Sequence, residues 1–316
     1  MTTTPDITPD SSLPVAVPVG SAAPSASDEA TPTSGPTRAP NTDVSSVPSP
    51  RRIGGRALAK LRRDLTDRDW QILQLIADHR YLTTRQIEGF CFTNLGSPES
   101  AERTARRVLA RLASDGVLRT LGRRIGGVRA GSTGTVYHLA PAGARLLAGD
   151  DGRHFRSREP SERFLAHCLA IGETHLDLND LTTADDIEQV TVELEPACWR
   201  PYAGPGGESR SLQPDLAVTV HGTDYEDRWF LEVDMGTESI PTILTKCAQY
   251  DTYRRTGAEQ TAHEVFPSVC WLMLGAKADT RAAQLRERLR ALGYPEGMFH
   301  VCTEDQLRLT LTGAVA

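Results

Sequence analysis

Positive charge in this 316-residue chain is concentrated in one stretch, and that partition constrains the fold more than any single motif. Residues 51–148 carry 18 Lys/Arg against 8 Asp/Glu, a net of +10. Residues 149–316 carry 16 against 28, a net of −12. The whole-chain figure of −6 would argue against a protein that simply coats nucleic acid, but it averages a basic segment with an acidic one. Residues 1–50 differ again. They hold ten of the twenty prolines, many Ser and Thr, and no aromatic residue. Such a composition buries too little apolar surface to offset its ordering entropy, so 1–50 is expected to be a disordered Pro/Ser/Thr-rich tail. The remaining length suits two domains, expected at 51–148 and 155–316. No run approaches the roughly 18 apolar residues of a membrane span, and no basic stretch leads into an apolar leader. The six cysteines are at least 23 residues apart, which excludes CxxC chemistry and suits reduced thiols in a cytoplasmic protein.

The basic segment reads as a winged helix-turn-helix. Thr66 and Asp69 form a capping-box pattern for a helix over 67–79, with Leu73, Ile76 and Ala77 inward. Thr83 or Thr84 starts a short second helix through Phe90. The third, about 99–114, has Ala101, Ala105, Val108, Leu109 and Leu112 on one side and Arg103, Arg106, Arg107 and Arg111 on the other. Arginines along one face of a third helix suit a recognition helix in the major groove of double-stranded DNA. Two β-like stretches follow, over 117–125 and 135–139. Between them lies the Gly-rich run 126–134, and Arg123, Arg124 and Arg129 stand at or near the tip of this hairpin, the expected wing.

The acidic segment runs helix, three strands, helix, strand, helix. Its strands are expected near 188–195, 215–220 and 228–233, with a buried strand over 269–274, as in a mixed α/β layer fold. Pro214-Asp215 opens one strand, and Glu232-Val233-Asp234 closes its neighbour. Glu232 and Asp234 share a face because the strand period is two. Asp215, Glu232 and Asp234 are therefore candidate ligands of Mg²⁺, which takes one or two carboxylates plus water and assists phosphoryl transfer. Gly204–Gly207 is Gly-rich but lacks the Lys-Ser/Thr of a phosphate loop and reads as a loop. His167, His175 and His263 have no metal-ligand spacing.

The order αβββαβ with Pro-Asp and Glu-x-Asp resembles the PD-(D/E)XK restriction-endonuclease-like superfamily. That resemblance implies catalytic Asp215 and Glu232, but Asp234 stands where the pattern has lysine. Lys246, in the next helix, is the candidate replacement, and Gln249 and Tyr253 stand at the Q-x-x-x-Y spacing of a RecB-like branch. Two readings stay open: a Mg²⁺-dependent nuclease, or a nuclease-like scaffold without catalysis. Leu65-Thr66-Asp67-Arg68-Asp69, Tyr81-Leu82-Thr83-Thr84-Arg85-Gln86-Ile87, Tyr137-His138-Leu139 leading to Gly143, Gln213-Pro214-Asp215 and Phe230 to Glu238 together are similar to the replication-relaxation family of bacterial mobile elements, over about 66–293. This resemblance implies a DNA-binding protein acting in plasmid replication and DNA relaxation. A further reading is a transcriptional regulator whose acidic domain is a homodimerisation or partner-docking module, with replication or conjugation proteins as partners. The expected fold class is thus an α+β multidomain chain, an N-terminal winged helix-turn-helix followed by a restriction-endonuclease-like αβββαβ mixed-sheet domain.

Overall fold

The computed structural model describes residues 53–121, 134–148, 159–183 and 186–313. The expected tail 1–50 and the wing arginines Arg123, Arg124 and Arg129 lie outside the described residues.

The N-terminal part is helical. Helix α1 (Gly55–Asp64) is followed by α2 (Asp67–His79), whose N-cap Thr66 accepts from the Asp69 amide. The Asp69 carboxylate in turn accepts from the Thr66 backbone at 2.9 Å, completing a capping box. The same device starts α3 (Thr84–Cys91), with Thr83 and Gln86 as its two members. Helix α4 (Pro98–Ser114) has Ser97 as N-cap and proline in its first turn, where a missing N–H is harmless. Strand β1 (Leu82–Thr83), β2 (Leu118–Thr120) and β3 (Val136–Leu139) make a small antiparallel sheet in the order β1-β3-β2, and α5 (Pro141–Ala148) follows. Ile72, Leu73, Ile76, Leu82, Ile87, Ala105, Leu109 and Leu112 are fully buried and form one core with Val117 and Leu118. Helix α1 is basic, yet it is part of the domain's packing. Leu58 and Leu61 pack on this core, and Arg62 donates to the Leu146 carbonyl at 3.1 Å.

The C-terminal part is a mixed α/β layer. Helix α6 (Glu162–Asn179) precedes β4 (Ile187–Leu194), a hairpin of β5 (Arg200–Ala203) and β6 (Ser209–Leu212), then β7 (Leu216–Gly222) and β8 (Glu226–Asp234). Next come α7 (Ile240–Arg254), α8 (Ala258–His263), β9 (Ser268–Met273), α9 (Ala278–Leu292), β10 (Phe299–Thr303) and α10 (Leu307–Thr312). The five-stranded sheet has the order β10-β9-β8-β7-β4. Strands β4, β7 and β8 pair antiparallel, whereas β8, β9 and β10 run parallel through helical crossovers. The run Val269 to Met273 is buried throughout, as a central strand covered on both faces requires. Ala217, Phe230, Trp271 and Met273 pack toward α7 and α9. Leu216, Val218, Leu231, Cys270 and Leu272 belong to a separate core with Leu178 of α6 and Leu307 of α10. The Gly204–Gly207 loop is the turn of the β5–β6 hairpin. None of the six cysteines is in a disulfide, and all but Cys91 are buried.

The two parts meet along α6. Gln86 of α3 donates from Nε2 to the Leu169 carbonyl at 2.7 Å, and Arg85 pairs with Glu173. His79 of α2 and His175 of α6 are linked at 3.0 Å between ring nitrogens, with Phe90 packed on both rings. Gly172 makes this approach close enough. A β-carbon there would stand 2.7 Å from Leu82 Cδ2, inside any normal contact.

Candidate active site

Antiparallel pairing explains why the two acidic motifs meet. Leu216 stands opposite Leu231, so the residue before β7 lies beside the end of β8. The Asp215 amide donates to the Leu231 carbonyl at 3.1 Å, and Asp215 Oδ2 accepts the Val233 amide at 2.7 Å. Asp215 Oδ1 accepts from His167 Nε2, which reaches over from α6 at 3.1 Å. On the next residue of β8, Glu232 Oε2 accepts from Lys246 Nζ of α7 at 2.5 Å, and Oε1 accepts from the Tyr250 hydroxyl. Lys246 and Tyr250 are four apart and so project from one side of α7.

Asp215, His167, Glu232 and Lys246 line one open cleft of about 310 Å³, together with Ser161, Arg163, Phe164, Asp234, Thr237 and Glu238. The structure thus brings Asp215, Glu232 and Lys246 together from three elements. Asp234 lines the cleft too, but its carboxylate is already claimed. Arg281 of α9 donates to Oδ2 at 2.9 Å from Nε and 2.5 Å from Nη2, and the Gly236 amide donates to Oδ1 at 3.1 Å. Gly236 makes that turn at φ 75°, a conformation glycine adopts without strain. Asp234, expected as a third ligand, therefore stands at the cleft with Oδ2 paired to the Arg281 guanidinium. The expected Gln249/Tyr253 pair does not line the cleft. Gln249 is exposed, and Tyr253 donates to Glu259 at 2.7 Å, away from the cleft. His167, read from sequence as isolated, belongs to the site.

Electrostatics in the cleft follow from burial and proximity. Burial and the neighbouring Asp215 push the Glu232 carboxyl up to about 7, against the pull of Lys246 and Tyr250. Burial also raises Asp215, but His167, Lys246 and the Val233 amide outweigh it and leave its pKa below the usual carboxylate range. The His167 imidazole is raised, first by its hydrogen bond to Asp215. Burial works to lower Lys246, but Glu232 and Asp215 override it and hold the ammonium charged. Asp215 and Glu232 fit a hard divalent cation in kind and number, since Mg²⁺ takes one or two carboxylates and fills its shell with water. Each of their oxygens accepts one hydrogen bond here and keeps a second lone pair. Among the described residues, no group of three or more His, Cys, Asp or Glu is arranged to hold a metal ion.

The predicted DNA face lies on α4. Arg103 and Arg107 are exposed, and Arg106 is exposed while paired with Glu102 one turn earlier. Arg111 turns back instead. Its Nη2 donates at 2.5 Å to Asp69, whose side chain is 1% exposed. That arginine ties α4 to the start of α2 while 43% of its side chain stays exposed, so all four arginines of α4 are exposed. No helix among the described residues is long and apolar enough to cross a membrane.

The fold and the cleft define an α/β protein with a carboxylate and lysine site where the antiparallel and parallel halves of its sheet join. The family model described as replication-relaxation matches residues 73–269, and the chain belongs to that family. No match is found among curated proteins. Among solved structures, restriction endonuclease FokI bound to DNA is similar at 14% identity and a TM-score of 0.21. That match covers 84% of this chain and 47% of FokI, so the chain spans about half the length of that protein.

Proposed function

We propose that this replication-relaxation protein grips duplex DNA through a winged helix built on α2, α3 and α4, and hydrolyses one phosphodiester in the cleft of Asp215, Glu232 and Lys246. The observation that carries the reading is the convergence of those three side chains. A glutamate whose side chain is 2% exposed is expensive to bury. A site that keeps it beside a lysine and a second carboxylate, in a cleft open to solvent, suits phosphoryl chemistry better than scaffolding.

Each residue then has a task. Val233 and His167 fix the Asp215 carboxylate from both oxygens. Tyr250 holds one oxygen of Glu232 and leaves the other to Lys246. Lys246 keeps 28% of its side chain exposed and has two further N–H donors to offer a phosphate oxygen as charge develops. Mg²⁺ held by Asp215 and Glu232 would supply Lewis-acid charge at the same phosphate. Hydrolysis adds hydroxyl to phosphorus and a proton to the departing sugar oxygen. One such break in a closed circle releases its superhelical torsion, which fits the family name and a role in plasmid replication and relaxation. Arg103, Arg106 and Arg107 suit phosphate or base contacts in a major groove. Arg123, Arg124 and Arg129 would add minor-groove or phosphate contacts.

The test is conversion of supercoiled plasmid to open circle with Mg²⁺ or Mn²⁺. Wild type is expected to nick, and Asp215→Asn and Lys246→Met are not. Equal activity in all three rejects the site. A second reading, DNA binding without cleavage, is favoured by one observation: Arg281 occupies the carboxylate at the expected lysine position. Sequence-specific DNA binding by a wild-type protein that leaves plasmid intact with either metal would support it.

A further inference from the structure

The mouth of the cleft carries a feature that hydrolysis alone does not require. Phe164, in the first turn of α6, lines the cleft and is 39% exposed. Among the described residues the other exposed large apolar side chains, Tyr225, Val265, Leu292 and Leu309, are absent from its lining. Cationic and aromatic groups surround Phe164. The Arg80 guanidinium carbon lies 5.7 Å from its ring centroid, and Tyr81 meets it edge-on at 6.3 Å. Arg80 is also anchored to Glu195 at 2.8 Å. It sits at φ 68°, uncommon for a residue with a β-carbon. Arg163, next to Phe164, is exposed and lines the same cleft. The 18-residue α6 directs its N-terminal end there, since Ser161, Arg163, Phe164 and His167 all lie on the lining, and a helix N-terminus favours anions.

A ligand that uses these groups must offer a flat π-face and a negative charge side by side. A nucleotide does so only when its base is out of the stack, because in a duplex both faces are covered. We infer that the cleft takes an unpaired DNA strand, with one base stacked on Phe164 and its phosphate drawn by Arg163 toward Lys246. The inference rests on the phosphodiester reading and names its substrate: single-stranded or locally melted DNA, of the kind negative superhelicity exposes.

The experiment uses the full chain in EDTA, so that binding is read without cleavage. A labelled strand of about 12 nucleotides and a blunt duplex of equal length are titrated by fluorescence anisotropy. Phe164→Ala is expected to weaken strand binding about 5- to 30-fold, the loss of one base–aromatic stack. Duplex affinity should stay within about twofold, and Phe164→Trp should restore strand binding. Equal strand affinity in wild type and Phe164→Ala overturns the inference, as does a parallel loss on strand and duplex. A thermal melt of Phe164→Ala matching wild type confirms that a half-exposed ring was removed without unfolding. The two proposals fail separately. Phe164-dependent strand binding with no plasmid nicking rejects cleavage alone, whereas nicking with no Phe164 dependence rejects the strand alone.

Discussion

Acidification should loosen the seam between the helical module and the sheet domain, and the buried His79–His175 pair sets the size of the effect. Burial, then the charge of His175, lowers His79 to about 3, and burial lowers His175 to about 4. His79 Nδ1 is buried without a partner, so a proton there would be left unpaired, and the arrangement favours two neutral rings with His79 donating from Nε2 to His175 Nδ1. In the unfolded chain each histidine titrates near 6.5. Between the folded and unfolded values the unfolded state binds more protons, so stability rises with pH. The contribution is complete above about pH 6.5 and is lost as pH falls toward 4. At about 1.4 kcal/mol per pH unit for each ring, going from pH 7.5 to 5.5 should cost the pair about 2–3 kcal/mol. Urea denaturation of wild type and His79→Leu/His175→Leu at both pH values reads this directly. His138, shifted in the same direction, and His167, shifted in the opposite one, remain in both proteins and cancel. The double variant should lose about 2–3 kcal/mol less than wild type over that interval. An identical pH dependence in the two proteins would refute the reasoning.

Three further outcomes follow from the geometry. Arg281→Ala leaves Asp234, with a side chain 2% exposed, without its charge partner and should destabilise by about 2–4 kcal/mol; adding Asp234→Asn should recover most of that in a double-mutant cycle. Asp69→Ala removes a capping box and the Arg111 partner together, so it should cost about 2–3 kcal/mol in chemical denaturation, more than the roughly 1 kcal/mol of a cap alone. Duplex binding should fall steeply with salt, and Arg107→Ala should weaken it by about 1–3 kcal/mol if the side chain reads a base, with affinity measured at two ionic strengths. Affinity independent of salt would remove α4 from the interface.

Local chemistry in the sequence accounts for much of this protein. The α4 periodicity, the Thr66 cap and the Pro214-Asp215 and Glu232-Val233-Asp234 strand ends are short-range patterns, and they appear where such patterns predict. What was hidden depends on distance in the chain. His167 reaches Asp215 only because α6 packs across the sheet, 48 residues from its partner. Arg281 cancels Asp234 across 47 residues. Tyr250 was legible in principle, one turn beyond Lys246, but the Q-x-x-x-Y spacing drew attention to the wrong register of the same helix. The β5–β6 hairpin around the Gly204–Gly207 loop gives no strand signal, because Ser209, Arg210 and Ser211 are exposed and show no apolar alternation. Helix α1 was missed because Arg56, Lys60, Arg62 and Arg63 mask the two leucines that seat it.

Helix α6 carries His167 near one end and, toward the other, Leu169, Glu173 and His175, which hold α2 and α3. A single rigid rod therefore belongs to both halves. If one half grips DNA and the other breaks it, as proposed, such a rod acts as a ruler. The break would fall at a constant number of nucleotides from the bound sequence, and lengthening the rod by one turn would move it by about 5.4 Å.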